Sequence, residues 1–459
     1  MRHFDAAVIG GGVLGCFAAR NLRRWHISTV LIEGAEDVCT GITRSNTAIV
    51  YAGYDNKVGS LKAEMTVRGN ASFGQLCGEL EVPFSRCGSL MVSYGPGADR
   101  VLRKKFDNGV HSGVPGLRLI SGVEALDMEP MLASGVTSAL FAPSTGTVNP
   151  WQLGISAYEN AVHNGCIPLL NTQVLGIQKT ADGYVIETNG ESIACKAVLN
   201  CAGLNADKVQ ALLFPPSVRL FPTGADFFVL DKQAEKPGRI IFQESEEKGK
   251  GVTAVPTVEG NLLLGPSQRP LYGRPWATTF EGMDFLREAT ARVLPGVDLN
   301  QIIRSFASVR PNPHRVVLKD GEYVPDGKSI GSFVIARPAP GFWSLIGIKT
   351  PGLTCANELG LYLARETAAW LGAAENSGFD PHRRCLFRSK NHPDYHQIIC
   401  QCEHITRGEI LEAIARGATT VNGVKRRVGA AMGRCQGSRC AWEIVKILKE
   451  TGANPDPLF

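Results

Sequence analysis

The chain has 459 residues, 44% hydrophobic and 20% charged, a balance that excludes intrinsic disorder as the main state and suits about two to four domains. No run of about 18 apolar residues occurs, which argues against a membrane-spanning helix, and nucleic-acid binding would want a stronger, more clustered excess than a net charge of +5,. The charge is uneven: residues 386–459 hold 11 Lys and Arg against 7 Asp and Glu, so a basic tail follows a near-neutral body. The apolar run Ala6–Ala19 is broken by three adjacent glycines and continues into a helical pattern. It reads as a buried strand and turn, not as a secretory leader. With 13 cysteines and no such leader, a reducing, cytoplasmic setting without disulfides is expected.

In chain order, residues 4–10 predict a short buried strand, followed by Gly10, Gly12 and Gly15 in a GxGxxG pattern and a helix through Ala18, Ala19, Leu22 and Trp25. A second strand, Thr29–Glu33, ends in an acid. This is the βαβ fingerprint of dinucleotide binding. Gly10 permits the tight turn, Gly12 lets backbone approach a pyrophosphate, and Gly15 lets the helix pack on the strand. Glu33 stands where ribose hydroxyls are held. Two further strand–turn–helix units follow. One runs from Lys196 to Gly203, with Ala202 and Gly203 in a small-residue turn and Asp207 opening a helix. The other spans Ile346–Thr354, with Gly352, Leu353 and Thr354 after a Pro. Three such units returning to one place suit a long cofactor, FAD, better than NAD.

The segments 10–15, 43–54, 200–207, 304–311 and 347–354 together resemble the FAD-dependent oxidoreductases of the D-amino-acid-oxidase-like superfamily, nearest the glycerol-3-phosphate dehydrogenase and L-2-hydroxyglutarate oxidase branch. The resemblance covers about the first 370 residues. It implies an α/β fold: a Rossmann-like FAD-binding domain, residues 1–370, with an antiparallel α+β substrate domain inserted at about 80–145 and 215–330. Apolar segments such as Phe227–Leu230 and Asn261–Leu264 fit that insertion.

The resemblance also implies roles. Ser45 and Asn46, with Thr47, fall where the family approaches the cofactor. Tyr51 stands where many relatives, notably the 2-hydroxyglutarate branch, have His; a phenol titrates near pH 10 and is a poor base at neutrality, so it either orients substrate or leaves the base to His314 or Lys349. Arg310, in an Arg-Pro motif, matches the arginine that binds the substrate anion through its planar fork. Lys349 matches the glycerol-phosphate branch, whereas hydroxyglutarate-type relatives often carry an acid there. It would stabilise charge at the flavin or bind the substrate anion.

Residues 371–395, rich in Gly, Asn, Pro, His and Arg, read as a linker. The remainder, 396–459, carries Cys400, Cys402, Cys435 and Cys440, a CxC pair and a CxxxxC pair. Structural zinc usually takes wider pairs, and four cysteines also serve [2Fe–2S] clusters. The tail resembles bacterioferritin-associated-ferredoxin-like [2Fe–2S] domains and implies a small helical iron–sulfur domain. The basic residues Lys425, Arg426, Arg427 and Arg434 would raise a cluster's potential or dock an acidic partner, or would simply form a solvated face.

The expected function is therefore an FAD-dependent dehydrogenase that takes a hydride from a small anionic hydroxy compound and passes electrons through the cluster to a quinone, an acceptor protein or a partner subunit. Peripheral membrane contact stays open. The rival expectations are an electron-transfer subunit with an idle pocket, and an amine, opine or amino-acid dehydrogenase.

Overall fold

The computed structural model describes residues 1–244, 251–271, 276–384 and 392–453. Strand Arg2–Ile9 runs parallel to Thr29–Ile32 on one side and to Ile193–Asn200 on the other. Its inner half, Ala6–Ile9, is buried, as a strand covered on both faces must be,. The sheet continues through Ile167–Leu169 at one edge, and Phe342–Ile346 joins in parallel at the carboxyl end of Ile193–Asn200. Helix Val13–Leu22 lies between helices Pro150–His163 and Ala356–Leu371. It can approach closely because small residues face its neighbours: a Cβ on Gly360 would lie 2.7 Å from the Phe17 backbone.

A second eight-stranded sheet is mostly antiparallel, in the order 302–310, 223–230, 262–265, 253–256, 240–243, 89–93, 138–142, 118–121. Its strands come from both segments assigned above to the substrate domain. Phe228, Leu230, Leu262 and Leu264 fill one face against helix Phe280–Val293. Strand Ile302–Arg310 forms the edge and delivers Arg310 at its end, paired with Thr223. Helix Leu61–Leu80, capped by the Ser60 hydroxyl, crosses to helix Ala356–Leu371.

The C-terminal unit is a hairpin, Ile398–Cys400 with Ile405–Thr406, followed by helices Arg407–Ala415, Val421–Val428 and Ala441–Glu450. Thr406 and Glu409 close a reciprocal capping box on the first helix,. Ile410, Val424, Ile444 and Leu448 form its core together with Cys400 and Cys440. The connection read as a linker is strapped to the first domain where it is described: Asn160 Nδ2 donates to the Asp380 and His382 carbonyls, and Arg383 pairs with Glu159 at 2.8 Å. Residues 385–391 of that segment lie outside the described residues.

Candidate flavin and iron–sulfur sites

The glycine turn has no room for side chains. Gly10 adopts φ +103°, and a Cβ on Gly15 would fall 1.8 Å from the Gly10 carbonyl oxygen. Gly12 precedes the helix with no side-chain cap, which leaves the helix entrance to be completed by an anion. Glu33 accepts from the Gly11 amide at 2.6 Å and the Ala35 amide at 2.9 Å, so its carboxylate is held over the turn. Thr43 Oγ1 accepts from the Val13 amide at 3.1 Å, tying the 43–47 loop to the helix start. Ser308 Oγ donates to the Ser45 carbonyl at 2.6 Å and ties the same loop to the second sheet. The Ser45 hydroxyl is buried with no partner, an orphan that a cofactor oxygen or ring nitrogen would satisfy. Asn46 instead closes its own turn, donating to the Thr43 carbonyl and accepting from the Ala48 amide. Ala202 and Gly203 form the turn after Ile193–Asn200, which Asn200 braces through the Ala206 carbonyl and Ser344. One oxygen of Asp207 accepts from the Leu220 amide, facing strand Val218–Leu220; the other is buried without a partner.

Thr354 Oγ1 accepts from the Tyr51 amide at 3.0 Å, so the Gly352–Leu353–Thr354 turn and the Tyr51 strand end meet. Gly69 allows it: its Cβ would sit 2.4 Å from the Thr354 carbonyl oxygen. The Tyr51 hydroxyl lies 3.5 Å from Thr47 Oγ1. Burial pushes its pKa above 10, against the smaller opposing effects of Thr47 and the Arg310 charge. Lys62, a residue the sequence reading did not single out, points its ammonium at the Gly331 carbonyl and the Phe333 ring. Burial, then the neighbouring Arg310 charge, lowers its pKa. Arg310 is thus within electrostatic reach of both Tyr51 and Lys62. Lys349 donates to Asn312 Oδ1 at 3.3 Å and Ser329 Oγ at 3.2 Å, and Asn312 also donates to Thr223. Lys62, Asn312 and Ser329 carry no motif; only the tertiary fold brings them here. His314, on strand Pro313–Lys319, packs edge-on against Phe221 and faces the Gly327 carbonyl at 3.3 Å, residues that follow the strands Val218–Leu220 and Glu322–Pro325 on either side of it.

In the tail, the thiols associate in two pairs. Cys440 hydrogen-bonds Cys400, which this bond and the Ala431 and Glu403 amides bring down to about 6 despite burial. Cys402 hydrogen-bonds Cys435, whose pKa is also lowered: amides of Gly437 and Arg439 and the Cys402 bond outweigh burial. In each pair one thiol is favoured as the thiolate, Cys400 and Cys435, and its partner, Cys440 or Cys402, is pushed the other way by the shared hydrogen bond. Two-and-two pairing suits a two-iron cluster with two cysteines per iron. Gly433 lets the loops close, since its Cβ would lie 2.4 Å from that of Cys402.

The basic stretch of the tail turns inward and is not a solvated face. Arg427 grips Asp37 with both terminal nitrogens, at 2.7 and 3.0 Å, and Arg426 adds a third contact at 2.8 Å. Burial would raise the Asp37 carboxyl, but the two guanidiniums outweigh it and hold the pKa below 3.8. Arg416 reaches Glu159 at 3.0 Å, Arg434 reaches Asp231 at 2.9 Å, and Lys232 of the second sheet reaches Glu403 at 2.6 Å. Arg416, Arg426, Arg427 and Arg434 of the tail thus find their acidic partners in the first domain, and Lys232 of that domain finds one in the tail.

A Rossmann-type turn beside an orphan hydroxyl, with a four-thiol domain clamped alongside, defines a flavoprotein oxidoreductase with its own iron–sulfur domain. The chain belongs to the FAD dependent oxidoreductase family, which it matches over residues 5–366, and residues 398–450 match the BFD-like [2Fe–2S] binding domain. It is 38% identical to a glycerol 3-phosphate dehydrogenase of Caloramator mitchellensis, over 97% of this chain and 94% of that protein. It is 30% identical to human mitochondrial L-2-hydroxyglutarate dehydrogenase over 58% of this chain and 60% of that one. In fold it resembles the dithionite-reduced, FAD-bound L-alpha-glycerophosphate oxidase of Mycoplasma pneumoniae, with a TM-score of 0.74 at 22% identity over 84% of this chain and all of that one. FAD and a [2Fe–2S] cluster are its cofactors. Among the described residues no helix is long and apolar enough to cross a membrane.

Proposed function

We propose that the chain oxidises a small anionic hydroxy compound, glycerol 3-phosphate first among them, to the corresponding carbonyl. The observation that carries this reading is the place of Arg310, whose charge acts on both Tyr51 and Lys62, beside the Tyr51 strand end that meets the Thr354 turn. Arg310 with Lys62 suits a phosphate dianion better than an amino acid, whose ammonium they would repel,. Arg310 holds the anion through its fork. Lys349, fixed by Asn312 and Ser329, supplies a second charge. Tyr51, kept protonated by burial, donates to a substrate oxygen and does not act as base. Ser45, with its free hydroxyl, and the Gly352–Thr354 turn hold the flavin. Bound FAD supplies the hydride acceptor and the cluster a one-electron relay.

The electrons then pass to an acceptor outside the chain. A cytoplasmic setting suits a protein whose described cysteines are all free,. An idle pocket is the weaker reading, because a site without substrate has no use for Arg310 and Lys62 held within reach of each other at a desolvation cost,.

The test is an anaerobic absorbance titration with glycerol 3-phosphate, L-2-hydroxyglutarate, lactate and several amino acids. Bleaching of the flavin band by glycerol 3-phosphate is expected. Bleaching by an amino acid alone would overturn the reading, and bleaching only by dithionite would favour the idle pocket. Arg310→Ala should raise KM for the anionic substrate by about a hundredfold, the loss of a charge-assisted pair of hydrogen bonds.

A further inference from the structure

The segment after strand Ile49–Val50 brings an acid to the pocket that the cations define. It is pinned at both ends. The Tyr51 amide donates to Thr354 Oγ1 at 3.0 Å. Asn56 Nδ2 donates to Thr66 Oγ1 at 3.0 Å, and the Thr66 hydroxyl donates to the Lys62 carbonyl at 2.6 Å. Between them Gly53, at φ +116°, lies so near helix Leu61–Leu80 that a Cβ there would meet the Val67 side chain at 3.1 Å. Asp55 is therefore held close to both Tyr51 and the Lys62 turn of that helix. Tyr54 turns into the core, whereas the Asp55 side chain is 56% exposed. Lys105 reaches Asp55 at 3.2 Å and also pairs with Glu244. Glu244 lies two residues beyond Phe242, whose ring sits 6.0 Å from that of Tyr51. One ammonium thus serves two carboxylates, and the group keeps a net negative charge. That charge is felt in the pocket. After burial, which dominates both shifts, Asp55 helps to raise the Tyr51 pKa and to hold up that of Lys62, whereas Arg310 acts on the same two groups with the opposite sign. Tyr51 and Lys62 lie within reach of a cation and of an anion at once.

We propose that Asp55 is a specificity-determining residue of this site. Its carboxylate faces the end of the substrate remote from the anion that Arg310 holds. There it accepts from a hydroxyl and repels a second carboxylate. The substrate class it selects is a polyol monophosphate, which ends in a hydroxymethyl group, over a 2-hydroxy dicarboxylate. An ionised carboxylate has no proton to donate, so it discriminates in both directions: a hydroxyl supplies the donor it needs, and a carboxylate brings only like charge. Glu244 shares Lys105, and the ammonium therefore does not cancel Asp55. The selection rests on the reading above that the pocket takes an anionic hydroxy compound.

The experiment uses the full chain with flavin and cluster loaded. Two phosphates of equal length, 2-hydroxyethyl phosphate and phosphoglycolate, differ only in ending in a hydroxymethyl group or a carboxylate. Their affinities are measured by calorimetry, and the quantity read is the ratio of the two. Asp55→Asn should shift that ratio about tenfold towards phosphoglycolate, the removal of one like-charge contact near the surface. Lys105→Gln, which leaves both carboxylates uncompensated, should shift it the other way. The same order is expected in kcat/KM for L-2-hydroxyglutarate against glycerol 3-phosphate. Asp55 is exposed, and its amide is isosteric, so the first variant stands alone if the second misfolds. An unchanged ratio in Asp55→Asn would overturn the proposal, and so would equal weakening of both phosphates, the mark of a structural role. Flavin bleaching by glycerol 3-phosphate with an unchanged ratio would sink Asp55 and spare the proposed function. If neither phosphate binds and glycerol 3-phosphate leaves the flavin oxidised, the anionic substrate class fails and the selection by Asp55 fails with it.

Discussion

Lys62 and Tyr51 illustrate how one neighbour acts on two titratable groups. The charge of Arg310 helps both uncharged lysine and ionised tyrosine, yet burial favours the neutral form of each and dominates both,. The consequences for pH differ. A lysine with a lowered pKa loses its charge as pH rises through a value below 10.5. KM for an anionic substrate should therefore climb on the alkaline side, before an ordinary lysine would titrate. Lys62→Arg should move that limb out of the measurable range, because a guanidinium stays charged; a KM–pH profile of the two proteins checks this. Tyr51→Phe should lower kcat by about tenfold, the loss of one hydrogen bond, and leave the profile below pH 9 unchanged. A lost basic limb would instead mark Tyr51 as the base. The sequence pointed to Tyr51, Arg310 and Lys349 through their motifs. Lys62 was not legible there, since it sits on a helix that reaches the pocket only by crossing to residue 354.

At the scale of elements, the glycine turn and the thiol loops do the same work. Each lets two backbone segments approach more closely than any side chain allows. Gly15→Ala would push a methyl into the Gly10 carbonyl oxygen, backbone against backbone, with no flexible atom to give way. The purified variant should retain less than about a tenth of its FAD, or fail to fold, as a clash of this kind usually costs several kcal/mol; its flavin-to-protein absorbance ratio is the readout. Gly433→Ala should leave FAD content unchanged and lower iron content, because its Cβ would meet that of Cys402. Equal iron in variant and parent would show that the loop gives way. The turn glycines were readable because their spacing carries the geometry. Gly433 had no such signal: its neighbour lies 31 residues away and is brought up by the fold.

For the whole molecule, the decisive feature is the grip of the tail on the first domain. Asp37 lies four residues beyond Glu33, on the outer side of the strand end that reaches toward the ribose, and holds two buried arginines. Removing one partner of such a set leaves uncompensated charge and costs about 3–5 kcal/mol. Asp37→Ala should therefore free the tail, seen as faster limited proteolysis between residues 371 and 397, while both cofactors stay bound. Unchanged proteolysis would show that Glu159 and Asp231 suffice. Because the folded pKa of Asp37 is depressed, its contribution is complete above the unfolded value near 3.8 and is lost as pH falls below it,. The clamp should survive mild acid.

The sequence by itself determined the cofactor chemistry and the order of domains, because these depend on local spacing: glycines around a turn, an acid at a strand end, cysteines in two tight pairs. It also made the second sheet recognisable as mostly antiparallel from short alternating strands. What it left open was decided by contacts between residues far apart in the chain. The basic stretch 425–427 looked the same whether it faced solvent, a partner or the chain's own Asp37, since only the docked fold shows where a charge is neutralised. Lys62 and Arg310, which act on each other electrostatically, come from a helix and a strand end 248 residues apart. No periodicity links them, and their meeting depends on the packing of two sheets.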